Sequence, residues 1–348
     1  MGGPGRVDGA DRDEFSNFLP APITAQDGTV YASVEHYFQA HKTRDAAARR
    51  AMASAPFERI YALGRSVELR PDWEGVKLKV MLRGCRLKYD QHPALRRALL
   101  ATTGAMTFEP SAGFWGVAAG GGGENWNGKI HGLLRSLYRG DVDGCNAAAW
   151  ALELRCAALA PPTRAALLVI DPQRAFATGA WARHFGDVAR IREAFGRLAA
   201  LDFDALPPVL VTRCPYPPPD VDVDGALGHA PFLVKPGMDA TCDPRLECFL
   251  DAWRVETLIV AGCTTTSCVR VSSRAIKRRR PTLDVVVDLR LCAAREANHA
   301  KNADEDPVLV DIYGREGCVG RSALDLAVAQ MRGDGVRVVD GVDYREFS

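Results

Sequence analysis

The spacing of apolar positions changes character near residue 160 of this 348-residue chain. From about 164 onward, short β-branched runs alternate with amphipathic stretches. "AALLVID", "PPVLVTR", "VETLIVAG", "LDVVVDL" and "GVRVVDG" read as strands, and "DVARIREAFGRLAAL", "RLECFLDAWR", "CVRVSSRAIKRRR" and "SALDLAVAQMR" read as the helices between them. Such alternation predicts a parallel sheet with helices on both faces, an α/β three-layer sandwich. The earlier half reads instead as helices broken by short extended pieces. Ser33 precedes "VEHYFQAHKT" and Asp72 precedes "WEGVKLKVMLRGCRLKY" in the position of an N-cap, and Trp73, Val76, Val80 and Leu87 share one face of the second helix. This half is expected to be a helix-rich α+β domain. The Pro-Pro pair of "ALAPPTRA" cannot continue a helix, so we expect a disordered leader at 1–13, a first domain at 14–158, a linker at 159–164 and a second domain at 165–348.

Composition narrows the partners. Lys and Arg total 44 against 43 for Asp and Glu, so no net charge draws the chain to nucleic acid or to an acidic membrane. The basic run "IKRRRP" ends a predicted helix, where cations complement the carbonyl end. No apolar stretch has the length of a membrane span and "MGGPGRVDGADRDEF" lacks the core of a signal peptide, which leads us to expect a soluble, cytoplasmic protein acting on small molecules.

The stretch "AGCTTTSCVR" at 261–270 places two cysteines around three threonines. A disulfide is disfavoured, because the ten cysteines are scattered without a framework. A metal clip finds no H-x-H or H-E-x-x-H to supply donors, the one D-x-H, Asp90-Gln91-His92, lies in the other half of the chain, and the reading calls for no metal and no cofactor. Cys268 would open the helix that comes next, where the dipole and unpaired amides favour a thiolate, whereas Cys263 sits within the loop and serves equally well as packing. A thiolate needs a cation and a proton carrier; Lys235 in "PFLVKPG" and Asp171 after "LLVI" are the candidates. On residues alone, Asp171 could equally be a helix cap and Lys235 a solvated side chain.

The ordered set "LLVIDPQRAF", "FLVKPG" and "VAGCTTTSCVR", with the later "DLRLCAAREANH", resembles the isochorismatase-like cysteine hydrolase superfamily over about 165–345. The resemblance implies Asp171, Lys235 and Cys268 as the catalytic set. It also implies a non-proline cis peptide at Cys263–Thr264 within an oxyanion loop, and Gln173 and Phe176 at the substrate. Isochorismatases that cleave a vinyl ether generally lack the cysteine, so its presence implies amide or carbamoyl hydrolysis through a thioester. Nicotinamidases carry a D-x-H…H metal site, where this chain has only His229, and nicotinamide is accordingly disfavoured.

In the first half, Glu35 lies in the first turn of its predicted helix, where the dipole favours the ionised form that could activate water or steady an oxocarbenium-like sugar. Helix capping explains the same position. "GENWNGKI" nearly spells a phosphate loop, but Ile130 replaces the Ser or Thr that magnesium requires. In order, "EFSNFLPAPI", "YASVEHYFQAHK", "LGR", "RPDWEGVKLKVM", "FWG" and "GENWNG" resemble the NADAR (YbiA-like) family over about 14–140. That resemblance implies an N-glycosidase acting on riboflavin-pathway intermediates or removing ADP-ribose from a modified base. Glu35 takes the place of the catalytic carboxylate, and Asn17, Arg65, Trp73, Trp115 and Asn125 fall at pocket positions, with Arg65 suited to phosphate. This sequence departs from the pattern at Val117, at Asn127 and in the leader, which stands where the family has a strand. Together the two resemblances imply a bifunctional hydrolase, and a homo-oligomer accords with the second of them. The alternative is that only the second domain turns over substrate while the first binds or senses a nucleotide.

Overall fold

The structure, a computed structural model, describes residues 3–109, 113–118, 121–178, 182–183, 186–201, 206–215 and 230–347. It divides into two compact units, Met1–Pro161 and Pro162–Ser348.

The first unit is helical with two small sheets. The leader, expected to be disordered, is folded over its described part: β1 (Gly5–Val7) pairs antiparallel with β2 (Ala10–Arg12) and with β5 (Thr107–Phe108). The reason is local. Asp8 and Gly9 take φ values of 50° and 81°, the left-handed pair that closes a two-residue hairpin and that Asp-Gly adopts readily. The Asp8 carboxylate then accepts from the Thr103 amide (3.0 Å), the Thr103 hydroxyl (3.0 Å) and the Gly104 amide (2.7 Å), which pins the hairpin to the fold. A second antiparallel pair joins β3 (Ile23–Thr24) to β4 (Val30–Tyr31).

The helices of this unit, among the described residues, are α1 (Val34–Ala40), α2 (Ala46–Ala53), α3 (Phe57–Ser66), α4 (Trp73–Gln91), α5 (Pro93–Leu100), α6 (Trp126–Arg139) and α7 (Val142–Leu159). Ser33 caps α1 as its sequence position predicts, its hydroxyl accepting from the His36 amide at 3.4 Å. Asp72 precedes α4 but makes no capping bond. Its carboxylate is drawn instead to Arg70, which donates at 2.6 and 2.8 Å. α4 also buries more than the one face expected of it. Leu78, Met81, Leu82, Cys85 and Tyr89 join Trp73 and Val80 in the core, while Val76 and Leu87 are only half-buried. The helix is central, packed by α1, α6 and α7.

The second unit is built, over its described residues, on a six-stranded sheet in the order β11-β10-β9-β6-β7-β8, every neighbour parallel. Its strands are β6 (Ala165–Ile170), β7 (Val209–Arg213), β8 (Phe232–Val234), β9 (Thr257–Cys263), β10 (Asp284–Ala293) and β11 (Arg337–Val339). Five were legible as apolar runs; β8, three residues long, was not. All six residues of β6 are buried, as expected of a central parallel strand covered on both faces. On one face Leu167, Val169, Val211 and Ile259 meet Ile191, Phe195 and Leu198 of the helix Ala189–Ala199. The carboxyl ends of β6, β7, β8 and β9 lie side by side, so the residues leaving these four strands gather along one edge of the sheet.

Candidate active sites

Asp171 directly follows β6 in left-handed backbone, φ 46°, a conformation Asp tolerates better than most residues. Lys235 follows β8, and Cys268 sits in a single π-helical turn, Thr265–Val269, between β9 and the helix Arg270–Arg279. Thus three separate strands deliver three side chains to one place. Lys235 Nζ lies 2.6 Å from Asp171 Oδ2 and 3.3 Å from Cys268 Sγ, with Asp171 and Lys235 fully buried. It also donates to the Gly237 carbonyl at 3.0 Å. Burial opposes the charge on Lys235, but Asp171 and Cys268 outweigh it and hold the ammonium well above its ordinary range. Burial, then the charge of Asp171, push the Cys268 thiol up, with Lys235 pulling the other way. The sequence led us to expect a resting thiolate at a helix start. The direction found is the reverse, because burial and the carboxylate together outweigh the ammonium.

The Cys263–Thr264 peptide is cis. Gly262 before it has φ 110°, and a Cβ there would fall 2.1 Å from the Ile170 carbonyl, so only glycine lets β9 approach β6 here. Thr264 and Ser267 hydrogen-bond through their hydroxyls, and Asn298 donates to Thr266 Oγ1 at 2.8 Å, bracing the turn that carries Cys268 from the late loop. Asn298 also lines a cleft of about 310 Å³ with Arg295, Asn302 and Asp306. Gln173 is buried and spends both ends of its amide on the backbone of Cys214 (2.7 and 3.3 Å); Phe176 is half-buried against the core. Thr212 and Cys214, which sequence reasoning missed, touch Asp171: the Thr212 hydroxyl donates to Oδ1 at 2.7 Å and Cys214 Sγ lies 3.3 Å from Oδ2. Their signal was position, at the end of a strand beside the one bearing Asp171. His229 lies outside the described residues.

In the first unit Glu35 is buried in α1 and accepts from Gln39 Nε2, one turn on, at 2.6 Å. Glu35 Oε2 and Gln39 Oε1 find no partner among the described residues. Gly64 of α3 packs so tightly on Gln39 that a Cβ would come within 1.9 Å of its Oε1. Burial pushes the Glu35 carboxyl above its ordinary range, the Gln39 bond offsetting this only in part. A helix of seven residues was expected to favour the ionised form; desolvation outweighs its dipole.

The Glu35 amide donates to the Asn17 carbonyl at 2.9 Å, Asn17 Nδ2 reaches Asn127 Oδ1 at 3.3 Å, and the Asn127 amide donates to the Trp115 carbonyl at 3.0 Å. Phe38 lies between Trp73 and Trp115, its ring centroid 5.0 and 5.3 Å from theirs. Asn125 turns into α6 with φ 54° and donates to the Met106 carbonyl at 2.8 Å. Asn125 Oδ1 and Asn127 Nδ2, like Glu35 Oε2, are buried without a partner among the described residues. Arg65 is exposed, over the Tyr61 ring. Its link to Glu35 runs through Lys42, whose ammonium is lowered by burial, supported by Glu35 and opposed by Arg65. Gln39 and Lys42 were missed, although they stand four and seven residues after Glu35, on the same side of the helical register. In the same unit, buried Lys88 donates to the carbonyls of Glu14 and Ser16, both at 3.1 Å, and burial lowers it to about 8. Among the described residues of either unit, no group of three or more His, Cys, Asp or Glu could hold a metal ion, and no helix is long and apolar enough to cross a membrane.

Comparison with known proteins matches the NADAR domain family to residues 6–137 and the isochorismatase domain family to residues 165–305. The chain is 39% identical over 120 residues to the N-glycosidase YbiA of Escherichia coli (strain K12), covering 33% of this chain and 74% of that protein. It is 34% identical over 148 residues to the riboflavin biosynthesis protein PYRR, chloroplastic, of Zea mays, covering 37% of this chain and 24% of that protein. Among solved structures, N-carbamoylsarcosine amidase from Thermoplasma acidophilum aligns at 18% identity with a TM-score of 0.33, covering 52% of this chain and 99% of that one.

Proposed function

The chain belongs to the NADAR family through its first unit, carries an isochorismatase domain in its second and is a hydrolase, and from that premise we propose that it performs two separate hydrolyses. The second unit cleaves the C–N bond of an amide or carbamoyl group. Its supporting observation is the single ammonium, Lys235 Nζ, in contact with both Asp171 and Cys268. In the resting site the proton sits on sulfur. As Cys268 attacks the carbonyl carbon, that proton passes to Asp171 and the developing thiolate is balanced by Lys235. Asp171 returns the proton to the departing nitrogen as the C–N bond breaks. Water then adds to the thioester, giving up its proton by the same carboxylate, and the acid leaves as the thiol re-forms. The loop at Cys263 and Thr264 serves the oxyanion.

The first unit hydrolyses an N-glycosidic bond. Glu35, with one oxygen unspent, activates water at the sugar carbon, and Lys42 with Arg65 supplies positive charge for a phosphate. The name of the YbiA relative supports N-glycoside cleavage and that of the PYRR relative a riboflavin-pathway intermediate as substrate; an ADP-ribosylated base has the same sugar and phosphate chemistry. Wild type, Cys268→Ala and Glu35→Ala are to be compared on panels of amides and N-glycosides. Each variant should lose one panel and keep the other. Amide turnover surviving Cys268→Ala would overturn the thioester route, and a wild-type first unit that binds nucleotides without cleaving them would leave it a sensing module.

A further inference from the structure

Asp171, Lys235 and Cys268 leave one member of their cluster unused. Cys214 stands one residue past β7, with its Sγ 3.3 Å from Asp171 Oδ2 and 3.7 Å from Lys235 Nζ. The direction of these contacts comes from counting protons. An ammonium has three N–H groups, and three nearer acceptors claim them: Asp171 Oδ2 at 2.6 Å, the Gly237 carbonyl at 3.0 Å and Cys268 Sγ at 3.3 Å. Cys214 Sγ, at 3.7 Å, is the farthest of the four acceptors around the ammonium, and its own S–H donates to the carboxylate oxygen. Burial, and after it the charge of Asp171, push this thiol up to about 12, so it stays protonated across the working range. Gln173 holds the residue from both sides, accepting from its amide at 2.7 Å and donating to its carbonyl at 3.3 Å. On the other carboxylate oxygen, Thr212 donates at 2.7 Å.

We propose that Cys214 is a positioning residue of the amide-hydrolysing site, its S–H satisfying Asp171 Oδ2 so that the carboxylate does not draw Lys235 wholly to itself and the ammonium stays shared with Cys268. The inference rests on the reading of Cys268 as nucleophile. Without the S–H, the buried carboxylate closes on Lys235, and the thiolate at 268 loses support while facing a less screened negative charge. The titratable groups around the two sulfurs are Asp171 after β6, Lys235 after β8 and Cys263 at the end of β9, the last pushed up by burial and so neutral.

The test needs no substrate. The full chain is labelled with iodoacetamide from pH 6 to 10, and each cysteine is followed by peptide mass spectrometry in wild type, Cys214→Ala and Cys214→Ser. In the wild type Cys268 should label while Cys214 stays unmodified at pH 8. In Cys214→Ala, labelling of Cys268 at pH 7.5 should slow about fivefold, the worth of one hydrogen bond, with its profile moved to higher pH. Cys214→Ser, whose hydroxyl donates to the same oxygen, should come back to within about twofold. An unmoved profile in Cys214→Ala overturns the proposal, as does a serine variant behaving like the alanine one, or Cys214 labelling as fast as Cys268. If the labelling shift appears in a protein that turns over no amide, the proposed reaction fails and the positioning role stands.

Discussion

The two candidate sites treat a buried carboxylate in opposite ways. In the second unit Asp171 is met by an ammonium at 2.6 Å, a hydroxyl at 2.7 Å and a thiol at 3.3 Å before any substrate arrives. In the first, Glu35 has one amide donor and an oxygen with no partner among the described residues, and the nearby cation, Lys42, acts on it through space. One site is assembled in advance; the other keeps an unmet demand for a donor. A buried ion pair that is fully hydrogen-bonded is tolerated by the fold, whereas an unpaired buried acid is a standing cost that a ligand can relieve.

That contrast can be broken in four places. Cys268→Ala should lower amide turnover by roughly a thousandfold or more and leave N-glycoside cleavage untouched, measured as kcat/KM on the two substrate panels. Lys235→Met strands Asp171 without its cation. The second unit should lose about 3–5 kcal/mol by denaturant titration, while the unfolding transition of the first unit stays put. Glu35→Gln should abolish N-glycoside cleavage yet stabilise the first unit, because a neutral amide removes the cost of burying an ionised carboxylate. Since burial raises the Glu35 carboxyl in the folded state, wild-type stability is greatest below the ordinary carboxylate range and declines as pH rises through the raised value. The gain from Gln, about 1–2 kcal/mol, should therefore be smallest below the ordinary carboxylate range and grow as pH rises through the raised value, read by calorimetry. Thr212→Val, removing the donor to Asp171 Oδ1, should cost the amide reaction about tenfold, with Thr212→Ser near wild type.

The architecture of the second unit was legible because parallel central strands are continuous apolar runs, and the chain spells five of them. β8 is a bare "FLV" closed off by Pro231 and Lys235, whereas β11, also three residues long, lies within the longer β-branched stretch "GVRVVDG". The positions of Asp171, Lys235 and Cys268 came from motif order, but the protonation of Cys268 did not, since it depends on burial and on how near Asp171 stands in space. Thr212 and Cys214 carry no motif; only the neighbouring of β6 and β7 brings them to Asp171. In the first unit the seat of Glu35 in α1 was legible from Ser33. The sign of its electrostatics was not, because burial on a helix flanked by α3 and α4 is a tertiary fact. Arg65 was named for a phosphate, whereas Lys42 is the cation whose charge Glu35 supports. The leader was misread through composition: its glycines suggested disorder, although Asp8-Gly9 between short extended stretches is itself a hairpin signal.

That hairpin bears on how the protein can be handled. Trimming the glycine-rich start back to Glu14, a natural step when preparing a shorter version, would remove the middle strand of a three-stranded sheet, leave Thr107–Phe108 without its partner strand and deprive the amides at 103 and 104 of their acceptor. The same cut would fall two residues before the Lys88 anchor at Ser16, so the damage would reach the loop that carries Asn17.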